Sequence, residues 1–234
     1  GGGGQRDWFA KPFRFFMLGQ LHTRKDPFVA IEAYRELRAE YPEVMADTEL
    51  TLKTQAEEIP QAMESWTPGL RIGNGVWPRA AVKDFYSTQH MLLAPSRGEG
   101  KNLPALEFMA TGGVVAATNW GGHTQWLSSQ YAYPIDYHLE PTNVFDVPKR
   151  CQDARASKES LKQIMLDAVQ HRDEAARKGE LASRVIPQMC GWVPVVEKFV
   201  LRLPDSLPKA ADLCAAMQYR VIDREQPLPR YLLE

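Results

Sequence analysis

The sequence predicts an α/β domain: a doubly wound, mostly parallel sheet (Rossmann-like), followed by C-terminal helices and a tail. Three observations carry this. Short apolar runs too brief for helices recur along residues 13–137, each run gives way to a loop rich in Gly, Pro, Asn or Asp, and helically spaced apolar residues follow most of those loops.

Phe13–Leu18 (FRFFML) ends at Gly19, as a buried strand leaving through a tight loop would. Asp26 stands at a helix N-cap with Pro27 at the first helical position. Ala30, Ile31, Ala33, Tyr34, Leu37 and Tyr41 then recur at helical spacing until Pro42 stops them. Thr48–Thr54 alternates as a strand does, and Leu70–Ile72 is a shorter candidate closed by Gly73, Asn74 and Gly75. Pro78–Tyr86 suits a helix opened by proline, and His90–Ala94 a strand leading into the loop Pro95–Lys101. Asn102–Thr111 reads as a helix with Asn102 near its N-cap and Gly112 and Gly113 just beyond its end. Val114–Thr118 is the next strand, and Gly121 and Gly122 break the chain again. Past Pro141 the texture changes to a charged, helix-forming stretch at Lys158–Gly179, an amphipathic stretch at Val195–Leu203, and a proline-punctuated tail. The expected organisation is a scar and linker over 1–12, with Gly1–Gly4 set aside, one nucleotide-binding domain over 13–203, and a tail or crossover segment over 204–234.

Composition narrows the function. The 234 residues carry a net charge of -1 and no basic stripe interleaved with aromatics, which disfavours a nucleic-acid module. Cys151, Cys190 and Cys214 are widely spaced, so neither a disulfide framework nor a zinc site is expected, and a reducing, cytoplasmic setting is the simplest expectation. No apolar run is long enough to span a membrane. No D-x-D metal signature, no G-x-S-x-G elbow around Ser96 and no G-x-G-x-x-G fingerprint occurs, so neither a metal nor a resident cofactor is expected.

The segment Pro95–Gly113 (PSRGEGKNLPALEFMATGG) is the most informative. It sets Glu99 in a loop after a strand and Glu107 inside the following helix. Ligands of open parallel sheets collect outside the C-terminal ends of the strands, so both carboxylates are placed to reach one crevice with the helix N-terminus between them. That N-terminus offers free N–H groups and partial positive charge to a diphosphate, and carboxylates accept hydrogen bonds from sugar hydroxyls. Arg24 and Lys25 precede a helix start, where cations are electrostatically misplaced unless an anion binds there.

These residues resemble a known family. Pro95–Gly113 is similar to the EG-x-G-L-P-x-x-E-A-M-A-x-G segment, with its E-x7-E pair, of family 4 of the retaining GT-B glycosyltransferases. The stretch Phe15–Tyr34 resembles that family's opening G-R-L-x-x-x-K-G, or its variant G-T-L-x-P-R-K-N. The resemblance implies a donor-binding C-terminal half that takes a UDP- or GDP-sugar. Glu99 would hold the donor sugar, Glu107 the ribose, and Lys25 with Arg24 the diphosphate. The loop and helix start at Gly19, Gln20, Gly100, Lys101, Asn102 and Leu103 would line the donor, and the backbone near Val76 and Trp77 would meet the base. Gln20 replaces the family's Arg, for which Arg24 is the candidate substitute; Lys101-Asn102 replaces an aromatic and Gly. Asn119–Gln125 resembles the GG-x-x-E turn with Gln125 in place of the acid, and His123 is expected to be structural. The resemblance also implies retention of configuration, catalysis without a metal, and an acceptor-binding N-terminal domain in the same or another chain. Other readings are a non-catalytic nucleotide-sugar-binding subunit or scaffold, and a GT-B-like epimerase or phosphorylase.

Overall fold

A computed structural model describes residues 6–55, 67–142, 151–191 and 195. Gly1–Gly4, the amphipathic stretch Val195–Leu203 (Val195 apart) and the tail from Pro204 lie outside the described residues. Two compact units divide the chain, Gly1–Gln188 and Met189–Glu234; the sheet and the site belong to the first.

The first unit runs β1 (Phe13–Leu18), α1 (Pro27–Glu40), a short α2 (Pro42–Met45), β2 (Thr48–Thr54), β3 (Leu70–Asn74), α3 (Arg79–Thr88), β4 (Met91–Ala94), α4 (Leu103–Ala110), β5 (Val114–Thr118) and β6 (Tyr133–Ile135). Among the described residues these strands form one sheet in the order β3-β2-β1-β4-β5-β6, every neighbouring pair parallel. β1 pairs with β2 from Phe13↔Thr48 to Leu18↔Lys53 and with β4 at Phe15↔Met91. The strand order reverses between β1 and β4, which is where an open α/β sheet leaves a crevice at its C-terminal edge.

A parallel sheet covered on both faces needs apolar residues on both, which is why FRFFML barely alternates. Phe13 and Phe15 face the core with Tyr34 of α1, while Phe16 packs on the other side against Phe85 and Tyr86 of α3 and Phe108 of α4. Tyr34 donates its hydroxyl to the Thr48 carbonyl at 2.9 Å, tying α1 to β2. After β6, β7 (Tyr137–Pro141) pairs antiparallel with β8 (Gln152–Ala156), and α5 (Lys158–Gln170) and α6 (Arg172–Cys190) follow.

Four details depart from the sequence expectation. Residues 6–12 do not behave as a linker: Trp8 is buried, and the Arg6 guanidinium lies 4.8 Å from the Phe108 ring and donates to the carbonyls of Gln89 and Tyr86. Asp26 does cap α1 in position, yet its backbone is left-handed (φ 44°) and its carboxylate accepts from Arg97 instead of from the helix. The charged stretch after residue 157 forms two helices that meet at His171, a division that the sequence reading left undrawn. Finally, the β7–β8 pair gave little sequence signal, because YHLEP and QDARA combine polar strand residues with Pro and show no clean alternation.

Candidate functional site

The C-terminal ends of β1 and β4 bring two loops together. Leaving β1, Gly19 adopts φ 148°, and a side chain there would press its Cβ to 3.2 Å from the Lys25 Cε, so glycine both permits the turn and leaves room for the lysine. Thr23–Lys25 then forms a single 3₁₀ turn capped by His22, whose Nδ1 accepts from the Arg24 N–H. Leaving β4, the Arg97 N–H donates to the Arg24 carbonyl at 2.8 Å, which locks the second loop to the first.

Glu99 sits where these loops meet. Lys25 Nζ lies 2.5 Å from its Oε1 and Arg24 Nη1 lies 3.0 Å from its Oε2, while the same Arg24 nitrogen donates to the Gly98 carbonyl. Burial pushes the Glu99 carboxyl up. The hydrogen bond and charge of Lys25, the charge of Arg24 and a hydrogen bond from Ser96 together outweigh it and hold the group below the usual carboxylate range. Two cations thus share one carboxylate, leaving positive charge in surplus beside α4.

The start of α4 adds to that field. Asn102 is left-handed (φ 55°), so its side chain makes no cap bond to the helix, and Pro104 has no N–H to give. The Asn102 amide donates instead to Nε2 of His123 at 2.9 Å, and His123 Nδ1 bonds the Thr118 carbonyl at 2.9 Å. Since Nδ1 faces a carbonyl, it carries the proton and Nε2 is the acceptor. Burial lowers the His123 pKa, against the pull of that carbonyl, so the ring is a neutral strut for Asn102. The turn that carries His123 also supports the Glu99 loop. Gly122 N–H donates to the Glu99 carbonyl, and a Cβ at Gly122 would fall 1.4 Å from the Gly100 carbonyl oxygen, a position closed to any other residue. His123 and Gly122 therefore belong to the site's scaffold; the two glycines were visible in the sequence, but the partner loop they pack on was not.

Glu107, Lys25 and Glu99 do not open on one hollow. Glu107, on the exposed face of α4, lines a hollow of about 390 Å³ with Gly19, Gln20, Lys53, Thr54, Trp77, Tyr86 and Pro104. Lys25 and Asn102 line a narrower cleft that shares Leu18, Gly19 and Gln20 with it. Glu99 and Gly100 line a third hollow, with Arg24, beneath Trp120 and the β8 strand. Gly19 and Gln20 line the first two hollows, whereas the second and third share no lining residue and meet only through the contacts of Arg24 and Lys25 with Glu99, so the single crevice expected for both carboxylates is not formed. Trp77 faces the first hollow, whereas Val76 is 82% exposed and stands clear of it. Leu103 and Lys101 are exposed at the helix start.

The model of the family described as glycosyl transferases group 1 matches residues 12–136, more than half of the chain. The chain belongs to that family. Its fold is that of the C-terminal domain of a GT-B glycosyltransferase. Among solved structures, the C-terminal domain of LpcC, a glycosyl transferase group 1 family protein from Francisella tularensis, superposes with a TM-score of 0.58 at 15% identity, over 76% of this chain and 85% of that one. WaaG, a glycosyltransferase of lipopolysaccharide biosynthesis, gives 0.61 at 17% identity over 82% and 47%. HepE from Anabaena, solved with UDP and glucose, gives 0.59 at 14% over 83% and 49%. At these identities the likeness speaks to fold alone, and this glycosyltransferase domain spans about half the length of the WaaG and HepE chains. No curated protein sequence matches it.

Proposed function

We propose that this domain binds a nucleoside-diphosphate sugar, UDP- or GDP-linked, and serves the transfer of the sugar with retention of configuration and without a metal ion, in the manner of family 4. The observation that carries the reading is the cluster in which Arg24 and Lys25 share Glu99 beside an α4 start with no side-chain cap. A diphosphate arriving there meets surplus positive charge, the oriented N–H groups of residues 102–103 and the helix dipole. Cleavage of the glycosidic bond deposits further negative charge on the departing diphosphate. Groups already held in place stabilise that charge without reorganising, which is electrostatic catalysis. Binding of the diphosphate draws Lys25 and Arg24 toward its oxygens and frees Glu99 to accept from donor-sugar hydroxyls. Glu107 accepts from the ribose in the adjoining hollow, next to Trp77.

Gln20 replaces the family's Arg, and Arg24 supplies the second cation. Its guanidinium, anchored on the Gly98 carbonyl, supports that substitution. An acceptor-binding N-terminal domain, in the same polypeptide or in a second one, would complete the enzyme. The test is a thermal-shift panel of UDP, GDP and ADP with their common sugars, followed by a transfer assay with the acceptor-binding half present. Selective stabilisation by one nucleotide sugar, and turnover with that donor, is the expected result, since a ligand that binds only the folded state stabilises it. Absence of any shift across the panel would contradict the reading.

A further inference from the structure

The turn after β5 reaches the candidate site through a side chain that the proposed chemistry leaves unused. Gly121–Gln125 forms a 3₁₀ turn, and Trp126 closes it. Three bonds join this turn to the loop that enters α4. The Gly122 N–H donates to the Glu99 carbonyl at 2.9 Å, the Trp126 indole Nε1–H donates to the Lys101 carbonyl at 3.0 Å, and the Asn102 amide reaches His123 Nε2 at 2.9 Å. Trp126 is 1% exposed, and its ring meets the His123 ring edge-on with centroids 5.2 Å apart. A buried indole needs an acceptor for its N–H, and here the acceptor is a backbone carbonyl of the loop that carries Glu99.

Holding that carbonyl fixes the group behind it. The Lys101–Asn102 peptide is trans, and in a planar trans peptide the C=O and the N–H point in opposite directions. With the Lys101 oxygen turned onto Trp126, the Asn102 N–H is turned away from it. That N–H has no acceptor among the described residues, and Asn102 lines the cleft that Lys25 lines. Asn102 is held a second time, by its side chain on His123, in a left-handed conformation (φ 55°, ψ 61°) that a non-glycine residue keeps only where its surroundings impose it. Trp126 stands behind both restraints: it bonds the peptide before Asn102 and packs on the ring that bonds the Asn102 amide.

We propose that Trp126 is a positioning residue for nucleoside-diphosphate binding: its indole N–H, by holding the Lys101 carbonyl, aims the Asn102 N–H at the distal phosphate. This rests on the diphosphate seat proposed above at the start of α4. A donor already pointed at its ligand needs no reorganisation when the anion arrives, whereas a peptide left to rotate must first be ordered. The distal phosphate alone meets this peptide in that reading, so the effect is confined to it.

The test is calorimetric titration of the 234-residue chain and its Trp126→Phe variant with UDP against UMP, and with GDP against GMP. Phenylalanine keeps an aromatic ring beside His123 and removes the indole donor. The wild type is expected to bind the diphosphate of at least one pair more tightly than its monophosphate. Trp126→Phe should lose about tenfold in affinity for that diphosphate, the scale of a hydrogen bond to a charged group, and less than about twofold for the monophosphate. A tryptophan that only fills the core predicts something else: lower stability in urea, with the preference for the diphosphate unchanged. That result, or equal binding of both members of each pair by the wild type, overturns the inference. Should Trp126→Phe fail to fold, 3-benzothienylalanine at position 126 decides the matter, since it keeps the bicyclic ring and puts sulfur in place of the N–H. An undiminished diphosphate preference in that protein overturns the inference as well. If neither diphosphate binds the wild type, the nucleotide-binding reading itself falls and takes this inference with it; a preference that survives loss of the indole N–H removes the positioning role alone.

Discussion

Two ion clusters two residues apart in one loop carry opposite excess charge, and the proposed function gives them different tasks. At Arg97 one buried guanidinium faces three carboxylates: Asp26 at 3.2 Å, Asp153 at 3.3 Å and Glu140, with Arg155 at the rim 3.7 Å from Glu140. Those carboxylates push the Arg97 pKa up against burial, which alone would lower it, and the cluster ties the start of α1 and the β7–β8 pair to the loop after β4. At Glu99 the ratio is reversed, with two cations around one carboxylate. Negative surplus around a buried arginine keeps that cation satisfied with no ligand present. Positive surplus beside an uncapped helix start leaves an attraction that only an incoming anion completes. Proximity in the chain does not distinguish the two; the sign of the excess does.

The comparison can be broken in several ways. The largest effect is expected at Glu99. Glu99→Ala, assayed with the acceptor-binding half present, should abolish both transfer and hydrolysis of the nucleotide sugar, while UDP or GDP binds no more weakly than before because the cations lose a competitor. Full activity in that variant would refute its role. Lys25→Ala should lower the turnover rate by about 10²- to 10³-fold, the usual cost of losing one preorganised charge-stabilising group, and should weaken binding of the diphosphate more than that of the monophosphate. A drop in both nucleotides alike would point to a structural lysine.

Arg97 should answer differently. Arg97→Met leaves Asp26 and Asp153 buried without their cation and should cost about 3–5 kcal/mol in urea unfolding, the range for breaking a buried ion pair on one side. The folded fraction should still bind a nucleoside diphosphate; loss of binding with unchanged stability would erase the distinction between the clusters.

A smaller effect sharpens the point that neutral buried groups also hold this fold. His90 accepts from the Arg14 N–H through Nδ1 and bonds the Asp7 carbonyl through Nε2, so the ring is neutral, and burial drops its pKa to about 4. Below the ordinary value near 6.5 the unfolded chain takes up a proton that the native chain refuses. Stability from this group is therefore complete above that value and falls by about 1.4 kcal/mol per pH unit toward pH 4. His90→Asn should flatten this part of the profile in unfolding titrations; an identical slope in both proteins would contradict it.

Much of this architecture was legible in the sequence because its strands are buried on both faces and its loops carry their own punctuation. FRFFML, HMLLA and VVAAT read as interior strands, Gly19 marked the exit of the first, Asp26-Pro27 a helix start and Gly112-Gly113 a helix end. The β7–β8 pair was not legible, because its stability comes from Arg97 and from its mutual ladder, both of them long-range, and not from an apolar alternation. The acidic and basic residues of the site were singled out by motif, but their arrangement was not. Periodicity gives no hint that Lys25 and Arg24 would clasp Glu99, nor that Lys53, which reads as an ordinary strand residue in TLKT, would be buried with no carboxylate partner among the described residues. Trp77 packs edge-on against Phe85 and also lines the hollow that Glu107 lines.

The most direct measurement is a crystal structure of the chain with UDP or GDP bound, whichever the binding panel selects. It should show the distal phosphate within hydrogen-bond reach of Lys25 Nζ and of the N–H groups at residues 102–103, Glu99 released from at least one of its cations, and the ribose on Glu107. A nucleotide held elsewhere, with the Arg24–Lys25–Glu99 cluster closed as it is now, would contradict the claim that the surplus charge at this loop exists to receive a diphosphate.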